Sequence, residues 1–261
     1  MLATLIEVLQ EAKRGKYAIG LFNTINLEMI EAAIKAAEDE RSPIIIGTAE
    51  VLLKYTSLSL LAPSLLAMAK SASVPVVVHF DHGISKAKIL EALELGFTSV
   101  MFDGSMLPHA VNIQLTKEIV EIARKYRASV EAEIGHVGGD EDGGNDQETD
   151  ISHYTTVEEA KIFVNATGID ALAVAIGSQH GVYKREPKLD FPRLKAIEQT
   201  VQTPLVLHGG SGISDTDFQH AINLGITKIN IFTDLTIAAQ RAIQTGIANG
   251  KGYLEIGRAH V

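Results

Sequence analysis

Eight short β-rich runs recur along the chain, each followed by a segment patterned as a helix. The runs are YAIGLFN (17–23), PIIIGT (43–48), PVVVHFD (75–81), TSVMFD (98–103), ASVEAEIG (128–135), DALAVAIG (170–177), PLVLHGG (204–210) and TKINIFT (227–233). Between them, stretches such as LEMIEAAIKAAEDE (27–40) and VNIQLTKEIVEIARKY (111–126) are rich in helix-favouring Ala, Glu, Lys and Leu. Their apolar residues fall at three- and four-residue spacing, the period of a helix face. Gly96, Gly168 and Gly225 stand where C-terminal helix caps are expected, and Pro43, Pro75 and Pro204 open strands, where Pro is tolerated. Eight alternations predict an α/β chain closed into a parallel (β/α)8, or TIM, barrel. A doubly wound open sheet is the alternative. The count of eight, and the absence of a Gly-rich turn after the first run, disfavour it.

With 261 residues and 46% hydrophobic content, the chain can bury one large core, and no linker divides it. A net charge of -9 argues against nucleic acid and anionic membranes as partners, while local charge leaves an anionic small substrate open. There is no Cys, so neither a disulfide framework nor a thiolate metal site is available. The first residues, MLATLIEVLQEAKRGKY, are amphipathic and lack the basic start and continuous apolar stretch of a signal peptide. The expected location is the cytoplasm. One segment, GGDEDGGNDQETDISHY (138–154), is Gly-rich, acidic and without apolar period, and is expected to be a mobile loop after the fifth strand.

The stretch VPVVVHFDHG (74–83) begins as a buried strand yet ends in two histidines and an aspartate. Buried polar groups are costly unless paired, so that strand end should use them. Of nine histidines, three precede glycine: His82, His180 and His208. All three lie at or just beyond the ends of the third, sixth and seventh runs, which in a barrel surround one mouth. Three neutral imidazoles meeting there suit one divalent ion with a position left open, although imidazole alone does not choose between zinc, cobalt, iron and manganese. Asp81 is either a partner orienting an imidazole or a proton donor and acceptor. His79 shares its strand face and is at least as well read as a packed, hydrogen-bonded core residue. Glu131 and Glu133 alternate along the fifth run, and Asp103 ends the fourth. Carboxylates aimed into a barrel are expensive without cations, so a salt bridge to Lys or Arg across the barrel is one expectation.

HGGSGIS (208–214) follows the seventh run and is expected to open the next helix, exposing backbone N–H groups to an anion. NIFTD (230–234) follows the eighth, where Asn230 and Thr233 add side-chain donors. Loops after the last two strands of a barrel are a frequent phosphate site.

Taken in order, FNTIN (22–26), HFDHG (79–83), SVMFDGS (99–105), VEAEIGHVGGDEDG (130–143), GSQHGVYKREP (177–187), LHGGSGI (207–213) and KINIFT (228–233) resemble the class II, metal-dependent ketose-bisphosphate aldolases of the fructose- and tagatose-bisphosphate type. The resemblance covers roughly residues 1–250. It implies retro-aldol cleavage of a ketose 1,6-bisphosphate to dihydroxyacetone phosphate and glyceraldehyde 3-phosphate through a zinc-stabilised enediolate. It implies that His82, His180 and His208 hold Zn2+, with Asp103 and Glu133 matching positions of an alternative metal site. Asp81 would shuttle the hydroxyl proton and Glu141 the proton at the donor carbon. Asn23, Gly181, Gly209, Gly210, Ser211, Asn230 and Thr233 would bind the phosphorylated substrate, beside a monovalent cation (Na+ or K+). A homodimer or homotetramer is implied as well. Phe232 departs from relatives that place a polar or small residue there. A metal-dependent sugar-phosphate isomerase, or an aldolase pairing dihydroxyacetone phosphate with another aldehyde, is the alternative. Finally, EIGRAHV (255–261) reads as a translated sequencing adapter. Residues 1–254 are therefore expected to be the native single domain, cut short of a C-terminal helical segment.

Overall fold

The structure, a computed structural model, describes residues 1–139 and 151–250. Among the described residues there are nine parallel strands: β1 (Leu2–Ala3), β2 (Ile19–Asn23), β3 (Ile44–Ala49), β4 (Val76–Gly83), β5 (Ser99–Phe102), β6 (Ser129–Ile134), β7 (Ala171–Val174), β8 (Leu205–Leu207) and β9 (Ile226–Ile231). Strands β2 to β9 pair in sequence order, and β9 returns to β2 with Ile19 opposite Lys228 and Leu21 opposite Asn230. That closure makes the expected (β/α)8 barrel and excludes the open sheet. The expected Pro residues stand immediately before β3, β4 and β8, and Gly96 and Gly168 cap their helices in the left-handed conformation. The helices after β2 to β9 are α2 (Leu27–Asp39), α3 (Leu58–Ser71), α4 (Lys86–Leu95), α5 (His109–Lys125), α6 (Val157–Thr167), α7 (Phe191–Glu198), α8 (Asp215–Asn223) and α9 (Thr233–Ala248). No described helix is long and apolar enough to cross a membrane.

Alternation along each strand divides the chain into two cores. On β4, Val76, Val78 and Phe80 face outward and pack under the helices with Leu65, Ile89 and Phe97, whereas Val77 faces inward. A further helix, α1 (Leu5–Gly15), lies ahead of the barrel. Its Leu5, Val8, Leu9 and Ala12 meet Leu21, Ile45, Val77, Ala173 and Val206 inside. Leu5 and Leu9 are fully buried there, each worth about 1.5–3 kcal/mol. So α1 stoppers the lower end. The strand β1 was not legible as a strand, being two residues long; it pairs with β4 at Val76 and Val77, below His79, where β5 begins its pairing.

Above that apolar floor the interior turns polar. His79, Asp81, Ser99, Glu131, Lys228 and Asn230 are all buried. The β3–β4 contact is tight at this level, because a Cβ added to Gly47 would sit 1.9 Å from the His79 carbonyl oxygen. Gly47→Ala should therefore destabilise the fold by at least about 1–3 kcal/mol, the scale of overpacking a filled interior. Urea unfolding checks it; a parental midpoint would mean the two strands part without cost.

Candidate metal centre and its carboxylates

Strand β4 delivers two adjacent residues to one site. In a regular strand Asp81 and His82 would point to opposite faces. Between Phe80 and Gly83, however, β4 advances three residues while its partner β5 advances two, from Val100 to Phe102. The extra residue is a bulge, and His82 sits in it with φ 43°, a left-handed conformation uncommon for a residue with a Cβ. The bulge turns the His82 ring back over the barrel mouth beside Asp81.

Three imidazoles converge there. His82 Nδ1 is paired with Asp103 Oδ2 at 2.8 Å, and His208 Nε2 with Glu131 Oε1 at 2.9 Å. Each carboxylate fixes one ring nitrogen, an arrangement usual for metal-bound histidine. The other nitrogens, His82 Nε2 and His208 Nδ1, face each other at 2.8 Å. The His180 ring lies edge-on to both, with centroids 4.9 and 5.8 Å away. One ring nitrogen from each lies within 4.8 Å of the other two. Burial and the two neighbouring imidazoles hold His180 well below the ordinary histidine range, and burial likewise lowers His208. Neutral rings are what a cation needs. The donor set therefore fits a divalent metal held by His82, His180 and His208.

Two further clusters share this mouth. Asp103 and Glu133 join His82 in a second possible metal group. Glu133 Oε1 accepts from Val137 N at 3.2 Å, while burial and the Asp103 charge push its carboxyl well above the usual range. His79, Asp81 and Glu131 also lie close enough to hold a metal. There, however, the Lys228 ammonium lies 2.9 Å from Glu131 Oε2 and supplies the positive charge itself. This is the cross-barrel salt bridge expected for an inward carboxylate. His79 is a packed core residue, bonded through Nδ1 to Ser99 Oγ at 2.7 Å.

Asp81 is buried, and its Oδ2 accepts from Asn23 Nδ2 at 2.8 Å and Asn230 Nδ2 at 3.0 Å. Burial alone would raise its carboxyl, but the neighbouring His82, the His79 ring 3.4 Å away and the Lys228 ammonium outweigh burial and hold it well below the ordinary range. The same contest leaves Glu131 at about 2, with Lys228 the chief lowering influence against burial. The sign of the pH dependence follows. Stability contributed by Glu131 is present above its unfolded value near 4.5 and is lost as pH falls toward about 2. Between those limits the parent should lose more stability than a Glu131→Gln/Lys228→Met double variant. Urea midpoints at pH 4.5 and 3 test this; parallel losses would mean that Glu131 titrates normally.

The segment after β8 forms the wall of a small cavity lined by His180, Gly181, Gly209, Gly210, Ser211, Asn230, Phe232 and Thr233. Gly209 has φ +65°, and a Cβ there would lie 2.3 Å from the Gln179 carbonyl oxygen, so the two loops meet backbone to backbone. Tyr183 rivets them: its hydroxyl donates to Gly209 O at 2.8 Å and accepts from Gln179 N at 2.9 Å. As expected, the turn opens the next helix: its last residue, Ser214, is the N-cap of α8, which begins at Asp215. The start of α9 meets the same turn: Asp234 N donates to Ser211 Oγ at 3.0 Å, and Asp234 Oδ2 accepts from Gly212 N at 3.0 Å.

Of the residues singled out from the sequence, His82, His180, His208, Asp103, Glu133, Asp81, Asn23 and Asn230 thus meet at the mouth. Gly181, Gly209, Gly210, Ser211 and Thr233 line the adjoining cavity. Asn23 and Asn230, expected to contact substrate, are placed on Asp81. Glu141 lies outside the described residues, as do the centre of the acidic loop and the final residues 251–261. Lys228 and Tyr183 were not anticipated as parts of the site. The signal for Lys228 was present: a lone charge inside the apolar run TKINI.

Comparison with known proteins agrees with this geometry. A family model described as fructose-bisphosphate aldolase class-II matches residues 3–259. The fructose-bisphosphate aldolase of Geobacillus stearothermophilus is 43% identical over 252 residues, covering 95% of this chain and 86% of its own. The 6-phospho-5-dehydro-2-deoxy-D-gluconate aldolase of Shouchella clausii is 44% identical over 253 residues, covering 95% of this chain and 84% of its own. In three dimensions the YdjI aldolase of Escherichia coli K12 superposes with a TM-score of 0.89 at 41% identity, over 100% of this chain and 92% of that one.

Proposed function

The chain belongs to the class II fructose-bisphosphate aldolase family of aldehyde-lyases, and from that premise we propose that it cleaves a phosphorylated ketose to dihydroxyacetone phosphate and an aldehyde. The observation that carries the reading is the Asp81 carboxylate, buried and aimed by two amides, one residue from an imidazole of the metal group. A divalent cation, zinc in our reading, supplies Lewis acidity toward the ketone oxygen when bound by His82, His180 and His208.

The chain's own groups do the rest. Asp81 accepts the proton of the hydroxyl on the carbon beyond the breaking bond, and that carbon leaves as the aldehyde carbonyl. The bonding pair stays with the three-carbon fragment. Asp81 returns the proton in the synthetic direction. Asn23 and Asn230 keep the carboxylate pointed through their Nδ2 donors. The backbone N–H groups of Gly209 and Ser211, with the first turn of α9, receive the phosphate, as helix N-termini do for anions. Glu141 is the group we assign to proton exchange at the donor carbon.

The aldehyde is glyceraldehyde 3-phosphate if the substrate is fructose or tagatose 1,6-bisphosphate. The Shouchella clausii relative favours a second reading, in which the substrate is 6-phospho-5-dehydro-2-deoxy-D-gluconate and the aldehyde differs. Release of dihydroxyacetone phosphate from all three sugars, with and without chelator, decides. Chelator-sensitive release from at least one is expected. Folded, metal-loaded protein that releases none, or that interconverts sugars without a three-carbon product, would overturn the reading in favour of an isomerase.

A further inference from the structure

We infer that Lys228 is the positioning residue of this site, one buried ammonium that fixes the orientation of both His208 and Asp81. The inference rests on the metal-centre reading above. Among the described residues Lys228 is the one Lys or Arg that is buried. Its Nζ donates to Glu131 Oε1 at 3.0 Å and to Asn230 Oδ1 at 2.7 Å, and lies 2.9 Å from Glu131 Oε2.

The first branch runs to the metal group. Glu131 Oε1 accepts from Lys228 and from His208 Nε2. The carboxylate is thus pinned at the place where it holds the His208 ring with Nδ1 toward His82. The second branch runs to the proton acceptor. An ammonium only donates and a carboxylate only accepts. Asn230 lies between one of each, so its amide has a single admissible orientation: Oδ1 to Lys228, Nδ2 to Asp81. A cation serving only to neutralise Glu131 would not need that second bond. The two branches leave one atom and end at the two groups on which the chemistry depends.

The test uses cobalt(II) as the probe, in the full chain, with Lys228→Met. Removing an outer partner of a metal ligand typically costs 10–100-fold in metal affinity. Cobalt affinity per folded molecule should fall by about that factor, with a changed ligand-field spectrum. At saturating metal, kcat should fall while KM moves little, since Asp81 acts in the transition state. If Lys228→Met does not fold, Glu131→Gln/Lys228→Met removes both buried charges and should show the same spectral change and at least about a tenfold loss. Parental affinity and spectrum in a folded variant overturn the His208 branch. Parental kcat at saturating metal overturns the Asp81 branch. A parent protein that binds no cobalt overturns the metal centre itself, an outcome distinct from either.

Discussion

Replacing Asp81 by alanine should lower turnover by about 10²–10⁴-fold while the protein keeps its metal, the usual scale for deleting a general acid–base group. The separation of the two effects follows from the contacts. Asp81 bonds to Asn23 and Asn230, whereas the carboxylates that fix the His82 and His208 rings are Asp103 and Glu131. The substitution removes an acceptor shared by two buried amide donors, a loss on the order of 1–3 kcal/mol, so turnover must be compared per folded molecule. The measurement is kcat at saturating substrate with metal content determined on the same sample. Near-parental turnover would remove Asp81 from the chemistry. Loss of metal alongside activity would show that it supports the cation instead.

His208→Ala should behave in the opposite way, losing the metal and, with it, activity down to the level of the chelated parent. His208 is tied on one side to Glu131 and presents its other nitrogen to His82. Truncation leaves two imidazoles where three converged, so the loss in affinity should exceed the 10–100-fold expected for an outer partner. His79→Ala is the control. That residue is equally buried, but it is bonded to Ser99 and stands outside the triad, so its variant should keep the metal. Zinc per chain after dialysis reads both. Unchanged zinc in His208→Ala would refute its role as ligand.

The barrel was legible because every strand run repeats one physical statement, an apolar β-former bounded by a breaker, eight times over. The three histidines were legible because a glycine follows each at or just beyond a strand end. What escaped was whatever depends on meeting across the barrel. Glu131 and Lys228 are separated by 97 residues, and alternation shows that each points inward without showing that they touch. The turn 208–214 was legible as a helix start, and its last residue, Ser214, bonded to Asp217 N, caps α8; that the same turn also meets the start of α9 was not legible. The bulge at His82 was invisible as well, since alternation would have sent Asp81 and His82 to opposite faces.

That bulge gives the site an internal ruler. His180 and His208 come from the segments that follow β7 and β8, so their distance from Asp81 varies with every breathing motion of the barrel wall. His82 does not share that freedom. Its Cα is fixed about 3.8 Å from that of Asp81 by a single peptide unit. One arm of the cation and the carboxylate that must act beside it thus travel together. Thermal motion can loosen the grip on the metal without changing the reach from metal to proton acceptor through that arm.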